Sequence, residues 1–296
     1  MQRDIEFNAD GVTLRGWLFT PDEGSGPYPT VVAAHGFSAV KEQTLGDLGV
    51  VLADAGLAAV VYDHRCLGAS DGSPRQDIDP VTQARDMRHA ITFAETLDEV
   101  NADRIGIFGT SYSGAEVLQV AALDRRVKAV VSQVPMISGW RNLLRLIPYQ
   151  ALPDLLAQID AERRTRFQGA EPATIRVATD DPNIPHAFPG LRTFEYFTKL
   201  APAERWVNEV TVRSLDWLME YDVTPYMERI SPTPLLMIVS QSDMSTPTDE
   251  ALAAYDRALE PKKLLLLRGD HYTSYIEDFE MTSTAARDWF LDHLTG

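Results

Sequence analysis

The stretch Arg104-Ile105-Gly106-Ile107-Phe108-Gly109-Thr110-Ser111-Tyr112-Ser113-Gly114 decides how this chain folds. Arg104 to Phe108 is an apolar run of strand length, and Ala115 to Leu123 beyond it reads as a helix. A serine between the two, flanked by glycines, spells a nucleophile elbow: a sharp strand-to-helix turn that lifts a hydroxyl clear of a sheet. Residues two before and two after that serine must be small, so that strand and helix can approach. Gly109 meets that need. Ser113 stands where a second glycine is usual, so the G-x-S-x-G pattern is missed by one hydroxymethyl group. A Ser/Gly loop in any α/β protein could be spelled much the same way, and the reading therefore rests on residues further along the chain.

An elbow serine needs an acid and then a histidine downstream. Of the six histidines, only His186, His271 and His293 come after Ser111. His293 falls in the final helical stretch, Thr282 to Leu294, as a surface or packing residue. His186 sits in a proline-rich loop, Pro182 to Pro189, with no strand in front to position it. His271 comes after the run Lys263 to Leu267 and the break Gly269-Asp270, which places it at the carboxyl end of a strand, where the sites of open α/β sheets lie. The acid is found in the same way. Pro234 to Val239 reads as a buried parallel strand ending in Ser240-Gln241-Ser242-Asp243, before Pro247 opens a helix. Asp243 is thus preferred to Asp270, whose side chain should diverge from that of its neighbour His271, and to Asp249, already inside the helix.

Charge developing on a carbonyl oxygen also needs amide donors. Tyr112 N–H, at a helix N-terminus, is one candidate. The loop His35-Gly36-Phe37, after the run Thr30 to Ala34, supplies the other through Phe37 N–H. His35 precedes the serine in the chain and reads as a buried imidazole bracing that loop rather than a base.

Taken together, His35-Gly36-Phe37, Asp63-His64-Arg65 with Gly68 and Ser70, the GTSYSG elbow, Asp243 and His271 resemble the α/β-hydrolase superfamily over nearly the whole chain. The elbow and the Asp-Gly-Ser-Pro-Arg stretch from Asp71 are similar to the dienelactone-hydrolase-like branch, which holds uncharacterised bacterial hydrolases and fungal polyketide thiohydrolases or transferases. A weaker likeness, through a G-x-S-Y elbow, is to X-Pro dipeptidyl peptidases and cocaine-esterase-type enzymes. Cys66 departs from the glycine that comes after His-Arg in many relatives.

The rest of the chain fits an α/β-hydrolase fold, with a mostly parallel central sheet, helices on both faces and a helical cap insertion. Ile5 to Asn8 and Thr13 to Phe19 alternate around Asp10-Gly11, a hairpin signal. Short apolar runs at Thr30 to Ala34, Ala58 to Tyr62, Arg104 to Phe108, Val127 to Val131, Pro234 to Val239 and Lys263 to Leu267 are separated by helical segments, as in a parallel sheet covered on both faces. The helical segments are Leu45 to Ala55, Pro80 to Leu97, Ala115 to Leu123, Thr248 to Leu259 and Thr282 to Leu294. That rhythm stops between Pro135 and Ile230. The expected division is a core of residues 1–134 and 231–296 and a cap of residues 135–230. Amphipathic pieces in the cap, Trp140 to Tyr149 and Leu152 to Phe167, supply large apolar side chains, and Trp140, Leu143, Ile147 and Phe188 are the candidate pocket residues.

Composition bounds the function. The chain has 296 residues, 45% of them hydrophobic, enough for a substantial core. A net charge of −16 argues against nucleic acid and anionic membrane surfaces as partners. One cysteine rules out an internal disulfide, and neither a signal pattern near Met1 nor an apolar run of spanning length is present, so a cytoplasmic setting is expected. No H-E-x-x-H motif offers a metal site, and an epoxide hydrolase or dehalogenase would carry Asp in place of Ser111. The expected activity is serine hydrolysis of a small-molecule ester or thioester through an acyl-enzyme, with no metal and no cofactor. Acyl transfer through the same intermediate is the chief alternative; peptidase or amidase action and non-catalytic ligand binding stand further off. Composition does not decide between a monomer and a homo-oligomer.

Overall fold

The computed structural model describes residues 1–181 and 183–296, so Pro182, which opens the proline-rich loop, lies outside the described residues. The chain opens with the expected hairpin: β1 (Gln2–Ala9) pairs antiparallel with β2 (Val12–Phe19), turning at Asp10 and Gly11, both at positive φ. Next come β3 (Tyr28–Ala34), α1 (Leu45–Asp54), β4 (Ala58–Tyr62), α2 (Pro80–Ala94), β5 (Val100–Thr110), α3 (Tyr112–Leu123) and β6 (Val127–Gln133). After β6 come α4 (Gly139–Leu146), α5 (Leu152–Phe167), β7 (Thr174–Ile175), α6 (Leu191–Glu195), β8 (Val210–Thr211) and α7 (Val212–Glu220). The chain closes with β9 (Leu235–Ser240), α8 (Thr248–Arg257), β10 (Lys262–Leu267) and α9 (Phe279–Leu294). Eight strands form one sheet in the order β1-β2-β4-β3-β5-β6-β9-β10, parallel from β4 onward, while β7 and β8 make a separate two-stranded pair.

Burial on both faces explains why the central strands read as unbroken apolar runs rather than alternating ones. On one face, Ile107, Val130 and Met237 of the sheet pack with Met87, Ile91, Val117 and Ala254 of α2, α3 and α8. On the other, Val31, Phe108, Val131 and Ile238 pack with Leu48, Leu52, Trp289 and Phe290 of α1 and α9. The stretch between β6 and β9 is mostly helical, with two-residue strands in place of core strands, because its sequence offers amphipathic pieces and prolines but no apolar run of strand length.

Boundaries differ from the sequence reading in informative places. Helix α3 starts at Tyr112, not at Ala115, so Ser113 and Gly114 belong to its first turn and the turn after β5 is a single residue, Ser111. Polar first-turn residues carry no apolar periodicity, and so the sequence pattern hides that turn. Helix α9 likewise begins at Phe279, three residues ahead of Thr282. Cys66 takes φ 67°, the left-handed conformation a glycine would adopt without strain. Its N–H donates to Asp71 O and its carbonyl accepts from Gln76 N, so the loop keeps its turn despite the side chain.

Candidate active site

Strand β5 delivers Ser111 to the carboxyl edge of the sheet in a strained conformation, φ 57° and ψ −117°. Its N–H donates to Gln133 O (2.8 Å) and its carbonyl accepts from Met136 N (3.0 Å), so the chain leaving β6 clamps the corner from both sides. The turn is possible because Gly109 has no side chain: a Cβ there would lie 2.0 Å from the Ser113 carbonyl oxygen. Gly36 approaches from the other side, where a Cβ would stand 3.2 Å from that of Ser111.

The structure brings the three singled-out side chains into one hydrogen-bonded chain. Ser111 Oγ lies 3.1 Å from His271 Nε2, and His271 Nδ1 lies 2.7 Å from Asp243 Oδ2. The acid fixes the tautomer: a carboxylate only accepts, so Nδ1 carries the proton and Nε2 is free to take the serine proton. Asp243 is buried and is itself held by Ser245 N (2.9 Å), Thr246 N (2.8 Å) and the Thr246 hydroxyl (2.9 Å). Asp270 does diverge from the imidazole. Its Oδ1 accepts from Tyr272 N and Thr273 N, both at 3.0 Å, and so shapes the turn that presents His271. Asp249 pairs with Arg145 on the surface, His186 Nδ1 bonds Ile184 O, and His293 packs on the Trp289 ring.

Phe37 and Tyr112 line the same cavity as Ser111, and their amides have no hydrogen-bond acceptor among the described residues. Tyr112 opens α3, so its N–H points from the positive end of a helix. Phe37 is held by what lies beneath it. His35 Nε2 accepts from His64 N (3.2 Å) and its Nδ1 contacts Gly36 O (2.9 Å); burial depresses its pKa, which keeps it neutral and in a bracing role. Buried Asp63 accepts from Lys41 N, Lys41 Nζ and Ala69 N, each at 2.8 Å, tying the loop after β3 to the loop after β4.

Ser111 and His271 line one cavity. Phe188 lines it, with its ring edge-on to Phe37 at 5.0 Å, as do Met136, Tyr196, Phe197, Tyr272 and Tyr275, which the sequence reading did not single out. They are scattered through the chain, and only the fold gathers them. Leu143 and Ile147 line a second cavity, inside the insertion. Trp140 lines neither and is 41% exposed, because the buried face of α4 carries Gly139 and Asn142 instead. No helix among the described residues is long and apolar enough to cross a membrane, and no cluster of His, Cys, Asp and Glu among them could hold a metal.

The model of the X-Pro dipeptidyl-peptidase (S15) family matches residues 10–273. The chain belongs to that family. Among its relatives are a polyketide transferase from Penicillium sp, 29% identical over 98% of this chain and 96% of the relative, and a thiohydrolase from Eupenicillium brefeldianum, 32% identical over 95% and 91%. An α/β hydrolase from Penicillium sp. sh18 superposes with TM-score 0.85 at 30% identity, covering 100% of both chains. A Pseudomonas aeruginosa protein superposes equally well, at TM-score 0.85 and 26% identity over 99% of this chain and 94% of that one. The protein is therefore a hydrolase of the α/β-hydrolase superfamily, on the fungal thiohydrolase-like branch.

Within this S15-family hydrolase, Ser113 has a use that the missing glycine conceals. Its buried Oγ lies 2.6 Å from His35 O, 2.8 Å from Glu116 Oε2 and 2.9 Å from His64 Nε2. Burial pushes the Glu116 carboxyl up to about 8 and pushes His64 well down, so at neutral pH both are uncharged. Ser113 then donates to His35 O and accepts from the Glu116 carboxyl proton and from His64 Nε2–H, which uses its one donor and both lone pairs. A neutral polar plug thus fills the space under the elbow.

That plug predicts a pH dependence. Because the folded-state pKa of Glu116 is raised above its ordinary value, folding retains a proton that the unfolded chain releases; stability is full below the ordinary carboxylate range and declines as pH rises toward about 8. Glu116 alone contributes a decline on the order of 1 kcal/mol per pH unit, opposed below the ordinary imidazole range by buried His35 and His64, so it is read as the difference between the protein and its Glu116 variant. Glu116→Gln, whose amide can donate to Ser113 in place of the carboxyl proton, should flatten it. Urea denaturation at several pH values checks this, and equal slopes for both proteins would remove Glu116 as the cause.

Proposed function

We propose that the protein cleaves a carboxylic ester or thioester by way of an acyl-enzyme on Ser111. The observation that carries this reading is the Ser111–His271–Asp243 hydrogen-bond chain at a strained elbow, beside two unpaired backbone amides. Ser111 Oγ attacks the carbonyl carbon while its proton passes to His271 Nε2. The amides of Phe37 and Tyr112 stabilise the oxyanion that forms. Collapse expels the thiol or alcohol, which takes the proton from the imidazolium. Water then attacks the acyl-enzyme, giving its proton to His271, and the second collapse releases the acid and restores Ser111. Asp243 holds the imidazole tautomer and offsets the charge on the imidazolium. In this reading residues 135–230 act as the cap over the site, excluding water while the acyl group is bound, and the reaction needs no cofactor.

A second reading is favoured by relatives named both thiohydrolase and polyketide transferase. The acyl-enzyme would be the same, and an alcohol, amine or thiol would resolve it instead of water. Hydrolysis is the preferred reading, since water needs no binding site of its own.

Ser111→Ala is expected to abolish covalent labelling by a fluorophosphonate while leaving the melting transition in place; labelling that persists would end the assignment of the nucleophile. Asp243→Asn should lower kcat by about three to four orders of magnitude, whereas Asp270→Asn, which perturbs the turn that presents His271, should be far milder. Steady-state kinetics with p-nitrophenyl acetate decide between the two acids, and the reverse order of damage would transfer the role to Asp270. Rapid-quench decay of the acyl-enzyme with a panel of acceptors separates the two fates: insensitivity is expected for hydrolysis, and saturable acceleration yielding transfer product would establish acyl transfer.

A further inference from the structure

Buried Gln133, Thr110 and Tyr275 form a hydrogen-bond chain that ends beside His271 and that the mechanism above does not use. Gln133 Nε2 donates to Thr110 Oγ1 at 3.4 Å, and Thr110 Oγ1 donates in turn to Tyr275 Oη at 2.7 Å. Each hydroxyl has one proton to give. Thr110 gives its proton to Tyr275, so the Tyr275 O–H is directed elsewhere, and its other hydrogen-bonding neighbour among the described residues is His271 Nε2 at 3.5 Å. That nitrogen has a single lone pair, which Ser111 Oγ meets at the shorter distance of 3.1 Å. The Tyr275 O–H is thus aimed from behind and lacks a full acceptor in front. Tyr275 lines the same cavity as Ser111 and His271.

A buried donor without a full partner costs stability and needs an explanation. Phenylalanine would fill the same space against the rings of Tyr196 and His271. We infer that Tyr275 is a further catalytic residue, whose O–H hydrogen-bonds the leaving oxygen or sulfur as it separates from the acyl carbon. This inference rests on the acyl-enzyme reading above. When the tetrahedral adduct collapses, the bond between the carbon and the leaving atom breaks, the electron pair stays on that atom, and the imidazolium proton on Nε2 moves to it. The leaving atom is then a hydrogen-bond partner of Nε2, on the side of the imidazole where Tyr275 Oη lies. Tyr275 keeps its own proton throughout, because burial pushes its pKa well up and it stays a neutral donor. A donor aimed in advance at developing negative charge matters most for a leaving group that bears charge poorly.

A leaving-group series tests this. Values of kcat/KM, which report acylation, would be compared for 4-nitrophenyl, phenyl and benzyl acetates. Tyr275→Phe should cost no more than about twofold with 4-nitrophenyl acetate, whose leaving group carries charge well, and about tenfold with benzyl acetate, the worth of one hydrogen bond. Thr110→Val, which removes the donor that aims the Tyr275 hydroxyl, should show the same trend, and Thr110→Ser should not. Melting transitions report whether each variant folds; should Tyr275→Phe fail to fold, Thr110→Val carries the same readout. An equal loss with all three esters would make Tyr275 a brace for the imidazole, and no loss would make it a wall residue; either result overturns the inference. Either one, with fluorophosphonate labelling of Ser111 intact, would leave the acyl-enzyme reading standing. Absence of that labelling in the unaltered protein would remove the acyl-enzyme reading itself.

Discussion

One strained residue organises this molecule. Ser111 sits at φ 57° and ψ −117°, a conformation of sparse population for a residue with a side chain, costing on the order of 1–3 kcal/mol. The surroundings hold it there. Gln133 O and Met136 N bind its two backbone polar groups, Gly109 lets the first turn of α3 fall against β5, and Gly36 lets the β3 loop close over it. The segments around this corner also line the cavity beside it: the chain after β3 supplies Phe37, α3 supplies Tyr112, and the chain after β6 leads on to Met136 and Asn142.

Beneath the corner, polarity is handled by neutrality. Glu116, His64 and Ser113 are buried, where charge would be costly; burial moves the carboxyl and the imidazole in opposite directions until both are uncharged and can share hydrogen bonds through one hydroxyl. Asp63 is managed differently. Its carboxylate meets Lys41 Nζ and two backbone amides, so that a buried charge is matched and at the same time joins two loops. The loop bearing Phe37 is thereby fixed from below, and the proposed oxyanion role of its amide calls for a donor that does not rearrange.

Above the corner the molecule is apolar and less regular. The insertion makes its own cavity and shares a wall with the site through Asn142 and Phe188. Variation in such an insertion can alter what reaches Ser111 without disturbing the sheet that positions it, since the core strands neither start nor end within it.

The sequence by itself determined the class of fold and the set of chemically capable residues. Continuous apolar runs mark strands buried on two faces, and the positions of Ser111, Asp243 and His271 just beyond three of those runs place them at one sheet edge, because parallel strands all end on the same side. Local pattern could also separate Asp243 from Asp270, since side chains of adjacent residues point apart. The start of α3 was hidden, because its first turn is polar and carries no periodicity. So was the use of Ser113, whose partners His35, His64 and Glu116 come from three segments. Placement within the insertion needed the tertiary structure most. The candidates Phe188, Leu143, Ile147 and Trp140 are all large and apolar, yet they end up on a shared wall, in the inner chamber and on the surface, while Asn142, polar and overlooked, stands at the boundary. A helix's period says which residues share a face but not what that face meets. That is decided by packing between segments distant in the chain, which no local pattern encodes.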